Sequence, residues 1–196
     1  MTAPKRTIEA TDILRRAEYL PVRAESRRRM TEHKRNRRID VGPFAAFYFE
    51  SWETVRHQIQ EMLYIENGGE AQLADELEAY APLVPRGLEL VATVMFEIDD
   101  AARRKVQLTR IGGIENHALL RVGGDEIRGI PDPDRENTAP DGKASSVQFF
   151  HFPFTEAQAA AFRDPATSVQ IGFDQAHYGH VALMPKPVQA ALAGDL

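Results

Sequence analysis

The stretch Phe44-Ala45-Ala46-Phe47-Tyr48-Phe49-Glu50-Ser51-Trp52-Glu53-Thr54-Val55-Arg56-His57-Gln58-Ile59-Gln60-Glu61-Met62-Leu63 carries two periodicities back to back. Up to Phe49, Phe47 and Phe49 alternate with Ala46 and Tyr48, the period of two that sends successive side chains to opposite faces of a strand. From Trp52 onward the apolar residues Trp52, Val55, Ile59, Met62 and Leu63 keep the spacing of one helix face. Ser51 stands where an N-cap is needed, with Glu53 close to the positive end of the helix dipole. A buried strand running directly into an amphipathic helix calls for a sheet with helices packed on it.

Upstream, Thr11-Asp12 and Pro21 each mark a helix start, so residues 1–40 are expected to form two short helices. Downstream, Asn67-Gly68-Gly69 ends the long helix, and residues 70–80 suit a second one with Leu73, Leu77 and Tyr80 on one side. Alternation over residues 88–98 predicts a half-buried strand, and further strands are expected at residues 106–111, 118–122, 126–130, 147–154 and 168–173. Gly123-Gly124 supplies a hairpin turn, Thr155 caps a helix, and Pro187 opens a last one. The proline-rich, acidic segment 131–146 is longer than a simple connector and reads as a mobile surface loop, either a lid or a disordered stretch. The expected fold is α+β: N-terminal helices, then a mainly antiparallel sheet with packed helices, in a single domain over residues 1–196.

The chain's 196 residues are 43% hydrophobic and 27% charged, an ordinary globular composition. There is no cysteine, which excludes disulfides, thiolate nucleophiles and an iron–sulfur cluster held by the chain's own thiolates. No window has the ~18 apolar residues of a membrane-spanning helix, and a cytoplasmic location is the expectation. The phosphate loop, the dinucleotide fingerprint, the Gly-x-Ser-x-Gly elbow and His-Glu-x-x-His are all missing.

Four groups of residues could carry chemistry. Glu53, His57 and Glu61 recur every four residues on one helix face, a ligand spacing for iron, manganese or zinc, but that face lies opposite the apolar stripe and points to water unless another element covers it. Glu50, Gln58 and Glu61 gather at the strand–helix junction, either as a site or as a capping network. His151, His177 and His180, with Asp174, would converge on a divalent metal if their segments pair; otherwise His151 is a core histidine and the other two are surface residues. Finally, residues 23–38 hold eight arginines and lysines against Glu25 and Glu32, a local charge of about +6 within a chain of net charge −5. This run either grips an acidic protein or anion or pairs with the protein's own acids; with no aromatics interleaved, nucleic acid is not the expected partner.

Asp12-Ile13-Leu14, Glu18-Tyr19, the arginine-rich run, Val41-Gly42, Phe49-Glu50, Thr54-Val55, Gln58-Ile59-Gln60-Glu61-Met62, Leu83-Val84-Pro85 and Glu89-Leu90, taken in order, resemble the bacterial family known as domain of unknown function 3501. The likeness covers most of the chain, is most specific over residues 58–62 and loosens after Lys143. It implies no reaction, but implies a setting near rubrerythrin-like di-iron proteins and iron–sulfur oxidoreductases. Glu50, Thr54, Gln58, Gln60 and Glu61 match the family pattern, whereas His57 stands at an apolar position of it.

The leading expectation is thus an accessory domain that binds a divalent metal (iron, manganese or zinc) through Glu50, Glu61, His151, His177 and His180 and works beside a rubrerythrin-like or iron–sulfur partner. The competing one is a metal-free interaction protein, a possible homodimer, whose Arg27, Arg28 and Arg29 hold an acidic protein or anionic ligand. A third is an enzyme with Glu61 as general base, which needs a raised carboxyl pKa.

Overall fold

The structure, a computed structural model, describes residues 5–196 apart from the side chain of Glu70; residues 1–4 of the expected helical segment lie outside it. The decisive stretch folds as its periods require. Strand β2 (Ala45–Phe49) is preceded by β1 (Arg38–Val41) and leads into the long helix, which follows two shorter ones, α1 (Arg16–Tyr19) and α2 (Arg23–Lys34), and is α3 (Trp52–Glu66). The Ser51 side chain accepts from the Thr54 amide while the Thr54 hydroxyl accepts from the Ser51 amide, so two otherwise unpaired donors are satisfied. Asn67 ends α3 in the left-handed conformation at φ 56°.

Then come α4 (Gly69–Tyr80), β3 (Glu89–Phe96), α5 (Ala101–Arg110), the hairpin β4 (Ala118–Val122) and β5 (Asp125–Arg128), β6 (Ile130–Pro131), β7 (Val147–Pro153), α6 (Glu156–Arg163), β8 (Val169–Gln175), β9 (Tyr178–Leu183) and α7 (Lys186–Leu192). The strands form two antiparallel sheets, ordered β1-β2-β3-β7-β6 and β5-β4-β8-β9. This is the expected α+β arrangement, with two sheets in place of one.

The inward face of the first sheet carries Phe47, Phe49, Val94, Phe96, Phe150 and Phe152, packed on Leu120, Ile171 and Phe173 of the second. Phe47 and Phe173 rings stack at 5.2 Å, and both side chains are buried. Full burial of each such side chain contributes about 1.5–3 kcal/mol. Tyr178 locks the corner between the sheets: its hydroxyl donates to the Val41 carbonyl at 2.7 Å and accepts from the Ala45 amide at 2.9 Å. The outward face of the first sheet is covered by α3 and α4, where Val55, Ile59, Leu83, Val84 and Val91 make a second, smaller core.

Several expectations are corrected. Residues 106–111 end helix α5: Asp100 caps it by accepting from the Arg103 amide, Leu108 and Ile111 face the core three residues apart, and Val106 is 63% exposed. Val106 and Leu108 also fit a period of two, which is why the segment reads as a strand. Residues 38–41 leave the helical N-terminal segment to become an edge strand. Residues 178–183, with no expected element, form β9, paired with β8. Within segment 131–146, which includes part of β6, Arg135 donates to the Ala79 carbonyl, Thr138 to Glu115, and the Ala144 amide to the Leu108 carbonyl. Among the described residues no helix is long and apolar enough to cross a membrane.

Candidate functional site

The register of the first sheet decides what its helix-covered face presents. Tyr48 pairs with Thr93, and Thr93 with Phe149; Ala46 pairs with Met95, and Met95 with Val147. Because side chains alternate, these rows share one face with Glu50, which follows Tyr48 by two residues and whose amide bonds the Val91 carbonyl. Helix α3 crosses above with Thr54, Val55 and Gln58; Tyr80 and Leu83 close one side, and Lys34 and Arg37 stand at another. Between them lies a cavity of about 410 Å³, inside the size range of small-molecule sites, with apolar walls and a few fixed polar groups.

Glu50 is the half-buried acid of this cavity. Its Oε1 accepts from the Thr93 hydroxyl at 2.6 Å and its Oε2 from the Thr54 hydroxyl, one donor from the sheet and one from the helix. Two hydroxyls hold the carboxylate in one orientation. None of the ion pairs among the described residues involves it. The nearby Arg37 guanidinium gives a bidentate pair at 2.8 and 2.9 Å to Asp195 and donates to the Glu50 main-chain carbonyl at 3.3 Å, not to its carboxylate. Lys34 is exposed at the rim.

The five residues expected to ligate a metal are not brought together. Glu50 sits in the cavity; Glu61 faces the N-terminal helices; His151, on β7, pairs with Glu89 at 3.1 Å; His177 lies in the β8–β9 turn; His180, on β9, packs its ring on Tyr178 at 4.6 Å. Asp174 pairs with His117 and Arg128 instead. Among the described residues no group of three or more His, Asp or Glu is placed to hold a metal ion. His151 lies on β7 of the first sheet, whereas His177 lies in the turn before β9 and His180 on β9 of the second sheet, so the set does not converge.

Glu61 is likewise no poised base. Arg23 binds both its oxygens, at 3.0 and 2.8 Å, and the buried Tyr19 hydroxyl donates to it at 2.6 Å. The Arg23 hydrogen bond, outweighing burial, lowers its pKa, the reverse of what a general base needs. Burial together with this contact pushes the Tyr19 phenol up to about 12. The polar face of α3 is therefore covered: His57 meets Ser26, and Glu53 lies 4.0 Å from His33, so the Glu53-His57-Glu61 ladder is where α1 and α2 dock. Arg27, Arg28 and Arg29 are exposed on α2, Arg28 and Arg29 leaning on Glu25.

Of the junction cluster, Glu50 and Gln58 do line one cavity, joined there by Thr54; Glu61 is turned away. Sequence reasoning missed Thr93, Tyr48, Tyr80 and Phe149. Thr93 had a signal, as the polar residue central to an otherwise apolar strand core, but only the register shows that it meets Glu50. A smaller cavity of about 230 Å³ lies between Ile13-Leu14 and α3–α4; its buried amide, Gln60, is already committed to both backbone groups of Leu14.

No curated protein matches the chain. A solved crystal structure of a novel protein of unknown function from Burkholderia pseudomallei is 35% identical to it, with a TM-score of 0.89 over 97% of this chain and 99% of that one. A family model described as Protein of unknown function (DUF3501) matches residues 7–196, and the chain belongs to that family.

Proposed function

We propose that the protein is a small-molecule-binding domain, with the cavity between α3 and the first sheet as its site and Glu50 as the residue that orients the ligand. The observation that carries this reading is the Glu50 carboxylate, held by Thr54 and Thr93 and in no ion pair among the described residues, inside a cavity of ligand size that Lys34 and Arg37 also line. Structural acids are usually neutralised on folding, as Glu61 is by Arg23. An acid fixed by hydroxyls alone, with apolar walls around it, is what a binding site requires.

A fragment screen by ligand-observed NMR tests it, run on the parent and on Gln58→Trp, which blocks the rim from an exposed helix position. Hits that bind the parent and are lost in Gln58→Trp support the site. Absence of hits, or hits indifferent to the substitution, contradicts it.

A second reading concerns α2, none of whose residues is buried. A helix without an apolar stripe, carrying Arg27, Arg28 and Arg29 outward, suits docking to an acidic protein. A rubrerythrin-like or iron–sulfur partner, which the family resemblance implied, would meet the protein there. Reversing the three arginines to glutamate is expected to abolish salt-sensitive retention on immobilised polyglutamate while leaving the melting temperature within a few degrees; unchanged retention counts against it.

A further inference from the structure

We infer that the ligand of the cavity is an organic ammonium ion, an amine whose charged end sits on Glu50 and whose hydrocarbon body lies against Leu83, Tyr80 and Phe149. This rests on the reading of the cavity as a ligand site.

The polarity of the site fixes the sign. An ionised carboxylate only accepts hydrogen bonds, and Glu50 accepts one from a hydroxyl on each oxygen, leaving further acceptor capacity. A ligand atom placed there must donate; a carbonyl, carboxylate or phosphate would face repulsion. The charge balance then favours a cationic donor over a neutral one. Arg37 is neutralised by Asp195, and Lys34 stands exposed at the rim, where water and salt screen it. Away from the rim the charge without a partner is negative, and a cationic donor adds Coulomb attraction that a neutral donor lacks.

A metal cation fits poorly, since among the described residues Glu50 belongs to no group of three or more His, Asp or Glu placed to hold one, and no other acid or histidine lines the cavity. An ammonium needs only one carboxylate, and its apolar body is what Leu83, Tyr80 and Phe149 would take out of water. Phe149 already stacks under a cation on its other neighbour, with the Arg135 guanidinium 4.8 Å from the ring centre. The roles divide accordingly: Glu50 selects charge, Thr54 and Thr93 fix its oxygens, and the walls select the hydrocarbon.

The experiment is calorimetric titration of the full chain with hexylamine, cyclohexylmethylamine and phenethylamine, each beside its matched alcohol and carboxylic acid, in the parent, Glu50→Gln and Gln58→Trp. The expected result is binding of amines about tenfold or more tighter than alcohols, no binding of the acids, loss of the amine preference in Glu50→Gln, and loss of all binding in Gln58→Trp. Alcohols or acids binding as well as amines, or an amine preference that survives Glu50→Gln, overturns the ligand class while the cavity remains a binding site. Failure of every compound, or binding untouched by Gln58→Trp, overturns the cavity reading and this inference with it. Thermal melts of both variants within a few degrees of the parent establish that they are folded.

Discussion

Arg37 and Asp195 are 158 residues apart and meet in a bidentate ion pair in which both side chains are almost wholly buried, at 6% and 12% exposure. The pair fastens the end of the chain to the start of β1 and also withholds a cation from the cavity that Arg37 lines. Removing one member leaves the other as an uncompensated buried charge, which costs about 3–5 kcal/mol. Asp195→Asn is therefore expected to lower stability by that order in chemical unfolding. It should also weaken amine binding, because the freed guanidinium becomes a rival for Glu50; a variant with parental stability would contradict the first expectation.

The Tyr178 hydroxyl is shared between the Val41 carbonyl and the amides of Phe44 and Ala45. Tyr178→Phe keeps the ring packing but leaves these buried groups unpaired, a cost of roughly 1–3 kcal/mol. At about 2–4 °C per kcal/mol for a chain of this size, calorimetry should show a melting temperature several degrees lower.

Glu61 gives a pH dependence. Its pKa is lowered from the ordinary 4.5 by Arg23. A depressed carboxyl contributes stability that is present above its unfolded value and is lost as pH falls through the folded one. Stability of the parent should thus decline below about pH 4.5, and Glu61→Gln should flatten that part of the profile while lowering stability at neutral pH. Denaturant midpoints measured from pH 3 to pH 7 read this directly; identical profiles would contradict it.

Tyr19 changes in the opposite direction. Burial and Glu61 raise it to about 12, so the stability it contributes is complete below pH 10 and is lost as pH climbs toward the folded value. In the ultraviolet phenolate titration, Tyr19→Phe should remove a step near pH 12; a profile with that step intact would contradict it.

How much of this the sequence could disclose follows from which signals are local. The strand–helix unit of residues 44–66 was legible because cap, charge and both periodicities agree there. Residues 106–111 were not, because a few residues of Val-x-Leu satisfy either period and the deciding cap, Asp100, lies outside the window. The site was half legible: Glu50, Thr54 and Gln58 are close in sequence, and a cluster at the junction was expected. Thr93, Tyr80 and Phe149 join it through strand register and helix packing, which are non-local. The histidine set failed for the same reason in reverse, since nearness in sequence did not survive the turn at His177 and the separation of the sheets. The Glu53-His57-Glu61 ladder was seen correctly as a face, but its cover, α2, is itself a polar helix and so gave no apolar signal of docking.

For a ligand in the cavity above Glu50, the Met95 methyl group, on the sheet wall, is the natural reporter. With methyl-labelled methionine, addition of hexylamine should move the Met95 resonance saturably, leave the buried Met184 unmoved, and need about tenfold or more higher concentration to do so in Glu50→Gln. A Met95 signal that stays fixed with hexylamine, cyclohexylmethylamine and phenethylamine alike, or that moves equally in Glu50→Gln, would contradict the account.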